Sequence, residues 1–278
     1  MVPRKLFDLK SVRTLCSTGS PLSPEGYDFI KNKIKPDLQI ASISGGTDLL
    51  SCFVLSNPLD PVVRGEIQCR GLGMDVDIFD NTGNPLIGHE GELVCTKPFP
   101  SMPIKFWNDP ENKNYKSAYF NIFEGVWRHG DWAKITERGT IVIFGRSDTT
   151  LNPGGVRIGT AEIYRQVEQL EEINESIAIG QNWNDDTRVI LFLKLQPGFQ
   201  LDLDTKNKII KKIKTNLSPR HIPSKIIAVG DIPRTRSGKI TELAVRDIVH
   251  NKEIKNKEAL ANPEALDYFK NLAELQQD

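Results

Sequence analysis

The sequence has few of the residues that build disulfide frameworks or histidine-based metal centres. Among its 278 residues there are four cysteines and four histidines, and no two cysteines stand in a C-x-x-C spacing. The histidines are scattered and offer no pair at metal-ligand spacing. We therefore expect a cytoplasmic protein whose cysteines are buried free thiols in a reducing compartment, namely Cys16, Cys52, Cys69 and Cys95.

Long apolar runs and an excess of one charge are also absent. No apolar stretch approaches the roughly 18 residues of a membrane span, and the first residues lack the apolar segment of a signal peptide. Lys plus Arg and Asp plus Glu both total 36, so the formal net charge is zero. A general nucleic-acid binder needs a basic excess. We therefore expect binding to neither a membrane nor nucleic acid, and the 38% hydrophobic content is enough for a buried core.

The chain changes character near residue 146. Before it, short apolar stretches alternate with Gly, Pro and Asn. "VRTLCSTG" predicts a strand that runs into a glycine turn, and Ser23 is a predicted helix N-cap. After it, the pattern predicts helix, strand, helix, strand, helix, with Thr160 capping the first helix. The polar "GRSDTT" at 145–150 marks the change, so we predict two domains, 1–147 and 148–278.

The stretch "DIPRTRSGKI" at 231–240 is the first candidate site. Its Ser-Gly-Lys run is similar to the end of a phosphate-binding P-loop, but Pro233 stands where that motif has its first glycine. Ile240 stands where Mg²⁺ needs a hydroxyl group. The P-loop is therefore excluded, and taken alone the stretch is typical of a solvated turn.

Four segments together are more specific than any one of them. They are "STGSPLSP" at 17–24, "SISGGTDLL" at 42–50, "WRHGDW" through "GTAEIY" at 127–164, and the turn of Lys239. In order and spacing they resemble the C-terminal half of the adenylate-forming (AMP-forming) acyl-CoA synthetases, over nearly the whole chain. The motifs that carry the resemblance are G-D-x, G-R-x-D, G-x-R-I-G-T-x-E-I and P-x-T-x-S-G-K. Stretches at 100–109 and 256–269 resemble the members that activate acetoacetate.

The resemblance implies a fold class and an activity. The fold would be α/β and α+β: the end of a large N-terminal adenylate-forming domain, with an α/β tail and a β-rich subdomain, followed by a small mobile α+β domain with an extra tail. The activity would be ATP-dependent ligation of acetoacetate to coenzyme A through an acyl-adenylate, with Mg²⁺ and with release of AMP and pyrophosphate. Two alternatives stay open, a ligase for acetate or propionate and a non-catalytic chain that binds AMP or CoA.

The resemblance also assigns roles to residues. Lys239 would be the catalytic lysine of adenylation, and Asp148 the hinge about which the C-terminal domain swings. Asp131 follows Gly130 after a predicted strand and would accept the ribose hydroxyls. The remaining nucleotide and CoA contacts would come from Gly19, Ser20, Pro21, Arg146, Gly154, Arg157 and Lys214. For Gly19 to Pro21 the alternative interpretation, an ordinary strand-to-helix turn, is compatible with this role and stays open. For Lys214 the alternative is that it belongs to the solvated face of an amphipathic helix.

The turn at 45–48 departs from the family pattern. Asp48 follows Thr47 where the family usually has glutamate, so the resemblance implies a shorter carboxylate near Mg²⁺, acting directly or through water. Relatives specific for acetate carry bulky aromatic residues near this turn. Gly45 and Gly46 would instead leave room for a longer β-keto acid.

One expected element is not found in this sequence. The family has a second phosphate loop, rich in Ser, Thr and Gly and ending in Lys, ahead of the segment that matches 17–24. No such loop occurs among these residues. We therefore expect a fragment, or a chain that works with a separately encoded N-terminal half, and we expect it to be inactive alone.

Overall fold

The computed structural model describes residues 2–254 and 257–277. The chain separates into two compact units, with the division between Phe144 and Gly145. The predicted boundary between 147 and 148 lies just past this division, and its interpretation as a boundary between two moving domains stays a prediction. Asn256, the first residue of the acetoacetate-type stretch at 256–269, lies outside the described residues.

The first unit opens with a small α/β layer. Its elements are α1 Pro3–Leu6, β1 Thr14–Ser17, α2 Pro24–Phe29, a π-helical turn Ile30–Ile34, and β2 Gln39–Ser42. β1 and β2 pair in parallel, with Ser17 opposite Ser42. The predicted cap is confirmed, because Ser23 Oγ accepts a hydrogen bond from Gly26 N at 3.1 Å and Pro24 begins the helix.

The rest of this unit is β-rich, as predicted. Two sheets follow in chain order, with elements β3 Ser44–Gly46, β4 Ser51–Leu55, β5 Cys69–Arg70, β6 Val76–Phe79, β7 Gly91–Cys95, α3 Lys113–Tyr119, β8 Trp127–Ile135 and β9 Ile141–Arg146. The sheet orders are β3-β4-β5 and β6-β7-β8-β9. Their shared core is built around Phe53, Phe99 and Trp127, whose rings pack edge to face.

The second unit is one three-stranded sheet covered on both faces. Its elements are α4 Thr160–Val167, β10 Ile173–Trp183, β11 Asp186–Leu195, α5 Leu203–Asn216, β12 Lys225–Ala228 and α6 Glu242–Val249. β11 lies in the middle, antiparallel to β10 and parallel to β12. Because side chains alternate along a strand, Ala178 and Leu191 pack with α4 and α5, whereas Ile179 and Phe192 pack with α6 and the tail.

The tail beyond α6 forms short 3₁₀ turns that complete one of these faces. The turns are Lys257–Ala259, Pro263–Phe269 and Ala273–Leu275. Leu266 and Phe269 are buried with Phe192, and the two phenylalanine rings meet edge to face at 4.8 Å. The tail is therefore part of the core of the second unit.

The predicted fold class is confirmed, and three local expectations are wrong. The order helix, strand, helix, strand, helix omits β10. The N-cap of α4 is Gly159, whose N donates to Glu162 Oε1 at 2.9 Å, and Thr160 is already helical. Of the four cysteines predicted to be buried only Cys95 is, because Cys16 lies on the open face of β1 and is exposed, and Cys52 and Cys69 are half-buried. Within the part of the chain that the structure describes, no helix has the length and apolar character to cross a bilayer.

Candidate functional site

Two of the predicted motifs meet at one edge of the small parallel sheet. The loop of Gly19 leaves β1 and the turn at 43–48 leaves β2, and parallel strands bring their carboxyl ends to the same edge. Ile43 N donates to Ser17 O at 3.0 Å, which keeps the two segments together. Gly19 and Ser20 are exposed and Pro21 is half-buried. This is the edge at which open α/β sheets bind ligands, so the predicted contact with adenine stays a prediction that the geometry permits.

Asp131 is joined to the same turn by a hydrogen bond. Ser44 Oγ donates to Asp131 Oδ2 at 2.8 Å, and His129 Nε2 lies 3.8 Å from that oxygen. Asp131 is only 7% exposed. The expectation that it follows a strand is wrong, because it lies inside β8, at the register shift between the pairs Glu92–Trp132 and Val94–Arg128. The structure therefore brings the G-D motif and the turn at 44–48 together.

Asp48 lies on the exposed turn after β3 and is held by an aromatic side chain. The Tyr119 hydroxyl donates to Asp48 Oδ2. The Tyr119 ring stacks on Trp127, with ring centroids 3.6 Å apart and planes inclined by 14°. Sequence reasoning missed Tyr119, which lies 71 residues away along the chain. Among residues 2–254 and 257–277, no group of three or more His, Cys, Asp or Glu side chains is placed to hold a metal ion.

The reason predicted for Gly45 is wrong. A Cβ atom built on Gly45 would lie 2.2 Å from Ser51 O and 2.6 Å from Cys52 Cα. The backbone of β4 therefore fills the space, and glycine is needed here for the close approach of β3 and β4. At Gly46 a Cβ would meet His129 Cε1 and Leu49 Cδ2 at 3.5 Å, which is an ordinary contact.

The second unit begins with the predicted hinge. Arg146 O accepts hydrogen bonds from the hydroxyls of Thr149 at 3.2 Å and Thr150 at 3.0 Å. Arg146 Nη2 lies 3.4 Å from Asp148 Oδ2, and Arg246 Nη1 donates to Asp148 O at 2.9 Å. The segment is therefore a turn held by side chains. Its role as a hinge stays a prediction.

Gly154 and Arg157 lie in the exposed loop between Leu151 and Ile158, which pair as an antiparallel bridge. Gly154 N donates to both carboxylate oxygens of Asp186 at 3.1 Å. Lys214 is exposed in the last turn of α5. Because α5 covers the opposite face of the sheet from α6, the structure does not bring Lys214 to the turn of Lys239.

The turn of Lys239, residues 234–240, is a small hairpin, and we call it the lysine hairpin. Arg234 and Ile240 pair across it, and Thr235 N donates to Lys239 O at 2.8 Å. Gly238 has φ +84°, a conformation that suits glycine, and Lys239 N donates to Thr235 Oγ1 at 3.1 Å. The Lys239 side chain is exposed. The backbone is thus fixed while the ammonium group is free to reach a ligand.

A buried carboxyl group follows the lysine hairpin, and sequence reasoning missed it. Glu242 begins α6, and its Oε1 accepts hydrogen bonds from Tyr164 Oη at 3.1 Å and Thr160 Oγ1 at 3.4 Å. Burial raises the pKa of Glu242, and the nearby charge of Asp148 adds to this. Burial also raises the pKa of Tyr164, so the pair favours its neutral, protonated form.

Comparison with known proteins finds relatives that match the residues described above. Residues 166–239, from α4 to Lys239, match the AMP-binding enzyme C-terminal domain family. Acetoacetyl-coenzyme A synthetase of Rhizobium meliloti is 62% identical over 273 residues, which are 98% of this chain and 42% of that protein. Nearly the whole of this chain is thus similar to part of an acetoacetyl-CoA synthetase. The acetoacetyl-CoA synthetase of Danio rerio is 47% identical over 99% of this chain and 41% of its own length.

Solved structures show the same similarity. Acetoacetyl-CoA synthetase from Streptomyces lividans superposes with a TM-score of 0.89 at 42% identity, covering 99% of this chain and 42% of that one. A benzoate CoA ligase from Burkholderia xenovorans shares the fold, with a TM-score of 0.71 at 22% identity over 85% of this chain and 46% of that one. The predicted relationship to adenylate-forming acyl-CoA ligases is therefore confirmed, and the chain spans about two fifths of the length of the curated relatives it matches.

Proposed function

We propose that this chain supplies the C-terminal part of an ATP-dependent acetoacetate–CoA ligase that works through an acyl-adenylate and releases AMP and pyrophosphate. The observation that carries the proposal is the identity of 62% to an acetoacetyl-CoA synthetase, which extends over 98% of the chain. The arrangement within each unit supports it, because each presents polar groups suited to a nucleotide and a carboxylate.

The chemistry explains why a presented lysine is useful. A carboxylate is a poor electrophile, and its attack on the α-phosphate of ATP brings negatively charged groups together. A fixed positive charge aimed at the developing charge lowers that barrier. Lys239 fits this task, because the lysine hairpin fixes its backbone and leaves its ammonium group exposed. Arg146 and Arg157 supply the guanidinium groups proposed to contact the nucleotide.

The first unit would bind the nucleoside. Asp131, held by Ser44, offers a carboxylate to the ribose hydroxyls at the edge where the Gly19 loop ends. Asp48 is exposed and fits Mg²⁺, which prefers one or two carboxylates together with water and substrate phosphates. The metal would neutralise phosphate charge. CoA contacts at Gly154 and Lys214, and a cytoplasmic location, stay predictions.

The experiment joins this chain behind the N-terminal residues of the Rhizobium meliloti relative, and we call this fusion the completed enzyme. Acetoacetate-dependent release of pyrophosphate and formation of acetoacetyl-CoA are measured for the completed enzyme and for the chain alone. We expect activity with acetoacetate in the completed enzyme and none above background in the chain alone. A folded completed enzyme that activates acetate or propionate in preference to acetoacetate would contradict the substrate assignment, and one that makes no adenylate from any of the three acids would contradict the function.

A further inference from the structure

The lysine hairpin does not stand alone, because the tail lies alongside it. Arg236 N donates to Ala259 O at 3.0 Å, and Ala261 N donates to Arg234 O at 2.8 Å. These two bonds flank the antiparallel bridge between Thr235 and Leu260. The tail therefore adds a third strand to the arm of the hairpin that precedes Lys239.

Asn262 closes this arrangement with its side chain. Its Oδ1 accepts a hydrogen bond from Arg234 N at 2.8 Å. Its Nδ2 donates to Asp231 Oδ2 at 2.8 Å and to Ile232 O at 3.0 Å. Asp231 is held in turn by Lys194 Nζ at 2.7 Å. One amide thus contacts three positions, 231, 232 and 234, of the segment that leads into the lysine hairpin.

The position of Asn262 is set by the core of the second unit. Leu260 and Leu266, on either side of it, are buried with Ile232 and Val245. Further along, Arg188 donates to Leu275 O at 2.7 Å and to Gln277 O at 2.8 Å. Because both ends of the tail are anchored in this way, Asn262 is a fixed support against which the hairpin is held.

We infer that Asn262 is a positioning residue for Lys239, acting through the backbone of the lysine hairpin. The inference rests on the proposed function for its catalytic part. A lysine side chain has four flexible bonds, so its placement depends on the orientation of the backbone that carries it. A displacement of about 1 Å in a reacting group can cost about 10²-fold in rate. Through Asn262, the rate of the adenylation step therefore depends on the tail.

The first arm of the test measures the support itself in the 278-residue chain and needs no activity. Amide hydrogen exchange is followed in the wild type and in Asn262→Ala. We expect the amides of Arg236, Gly238 and Lys239 to exchange at least about tenfold faster in the variant, while amides of β11 stay protected, because only the support is lost. Asn174→Ala, an exposed asparagine of the same unit, serves as the control. Unchanged exchange in the hairpin would overturn the inference.

A double variant in which residues 231 and 262 are swapped tests whether their hydrogen bond itself supports the hairpin. Asp231→Asn combined with Asn262→Asp reverses the polarity of the bond between positions 231 and 262, and the aspartate at 262 can still accept from Arg234 N. Both Asn262→Asp and the double variant lose the bond to Ile232 O, because a carboxylate cannot donate. We expect the hairpin of the double variant to exchange more slowly than that of Asn262→Asp alone, which places two carboxylates together. Equal exchange in the double and single variants would contradict the role of this contact.

The second arm separates the two half-reactions in the completed enzyme. We expect Asn262→Ala to slow adenylate formation about 10- to 100-fold and to leave thioester formation from supplied acetoacetyl-adenylate near the wild-type rate. Equal loss in both steps overturns the positioning role. If the wild-type completed enzyme forms no adenylate, the proposed function has failed, and the hydrogen exchange still decides whether Asn262 supports the hairpin.

Discussion

Arg246 donates a hydrogen bond from Nη1 to the carbonyl oxygen of Asp148 at 2.9 Å, across 98 residues of chain. Arg246 lies in α6, which begins at Glu242 directly after the lysine hairpin. The helix that follows Lys239 therefore also holds the backbone of the residue predicted to be the hinge. Within the second unit, the predicted hinge Asp148 and the proposed catalytic Lys239 are therefore both connected to α6.

The segment at 145–150 should be the first site of limited proteolysis by trypsin, at Arg146. Replacing Arg246 with alanine removes a bond of about 1 kcal/mol, so cleavage there should become about fivefold faster. The measurement is the rate of appearance of the two fragments by mass spectrometry, with the exposed Lys211→Ala as control. A first stable cut within 160–245 in the wild type would contradict the predicted boundary.

Lys239→Ala should separate the two steps of the completed enzyme. Adenylate formation should fall by about 10²–10³-fold, because a charge aimed at the transition state is lost. Thioester formation from supplied acetoacetyl-adenylate should stay near the wild-type rate, because the proposed role of the lysine ends with adenylation. Lys252→Ala, another exposed lysine of the second unit, should change neither step. If the two rates of Lys239→Ala fall together, the lysine has a structural role instead.

The two adjacent glycines of β3 should respond differently to alanine. Gly45→Ala should lower the free energy of unfolding by about 1–3 kcal/mol or more, because its Cβ would overlap with the backbone of Ser51. Gly46→Ala should change it by less than about 0.5 kcal/mol, because its Cβ would make only ordinary contacts. Urea unfolding of both variants measures the difference. Similar effects at the two positions would show that β3 and β4 are not as close as described.

Stability should depend on pH through Glu242. Its pKa is raised above the ordinary value of 4.5 by burial, so the folded state keeps a proton that the unfolded chain loses. The free energy of unfolding should therefore fall as pH rises above 4.5, until pH passes the folded-state pKa. Glu242→Gln removes this dependence. The free energy of unfolding of the variant should therefore equal that of the wild type near pH 4 and exceed it toward pH 8.

The matched control for this pH dependence is Glu253→Gln, at an exposed position of the same unit. Urea unfolding at pH 4, 6 and 8 gives the three free energies for each protein. A difference between Glu242→Gln and the wild type that is the same at all three pH values would show that the substitution changes packing and not proton binding.

Much of this fold could be predicted from local signals, and the failures have identifiable causes. Ser23 was found because a hydroxyl precedes Pro24, and proline pre-sets the first helical turn. At Gly159 the signal lies instead in Glu162, whose side chain reaches back to the cap backbone. β10 is not predicted because its apolar centre, residues 177–179, is short and polar residues flank it on both sides. A signal was nevertheless present in Asn184 and Asp185, whose positive φ angles form the hairpin turn.

Residues of the candidate site could be predicted from the sequence only where they belong to a recognisable motif. Lys239 and Asp131 stand in recognisable motifs, whereas Tyr119 and Asn262 act through partners far away in the chain. Nothing in the neighbourhood of an asparagine in a polar tail indicates that it will meet Arg234 and Asp231. Such pairings depend on the packing of the tail, which a single sequence does not display.

The tail covers one face of the β10-β11-β12 sheet, and this determines where a C-terminal domain can be cut for transfer between ligases. A domain cut out after α6 would lose Phe269, whose ring packs against the fully buried Phe192, together with Leu266 of the same core, and part of this apolar face would meet water. A contiguous apolar patch of this kind promotes association between chains. A grafted domain that lacks residues 257–277 should therefore aggregate even where its remaining surface suits the host. Domain grafts that use residues of this second unit therefore need the tail as part of the transplanted piece.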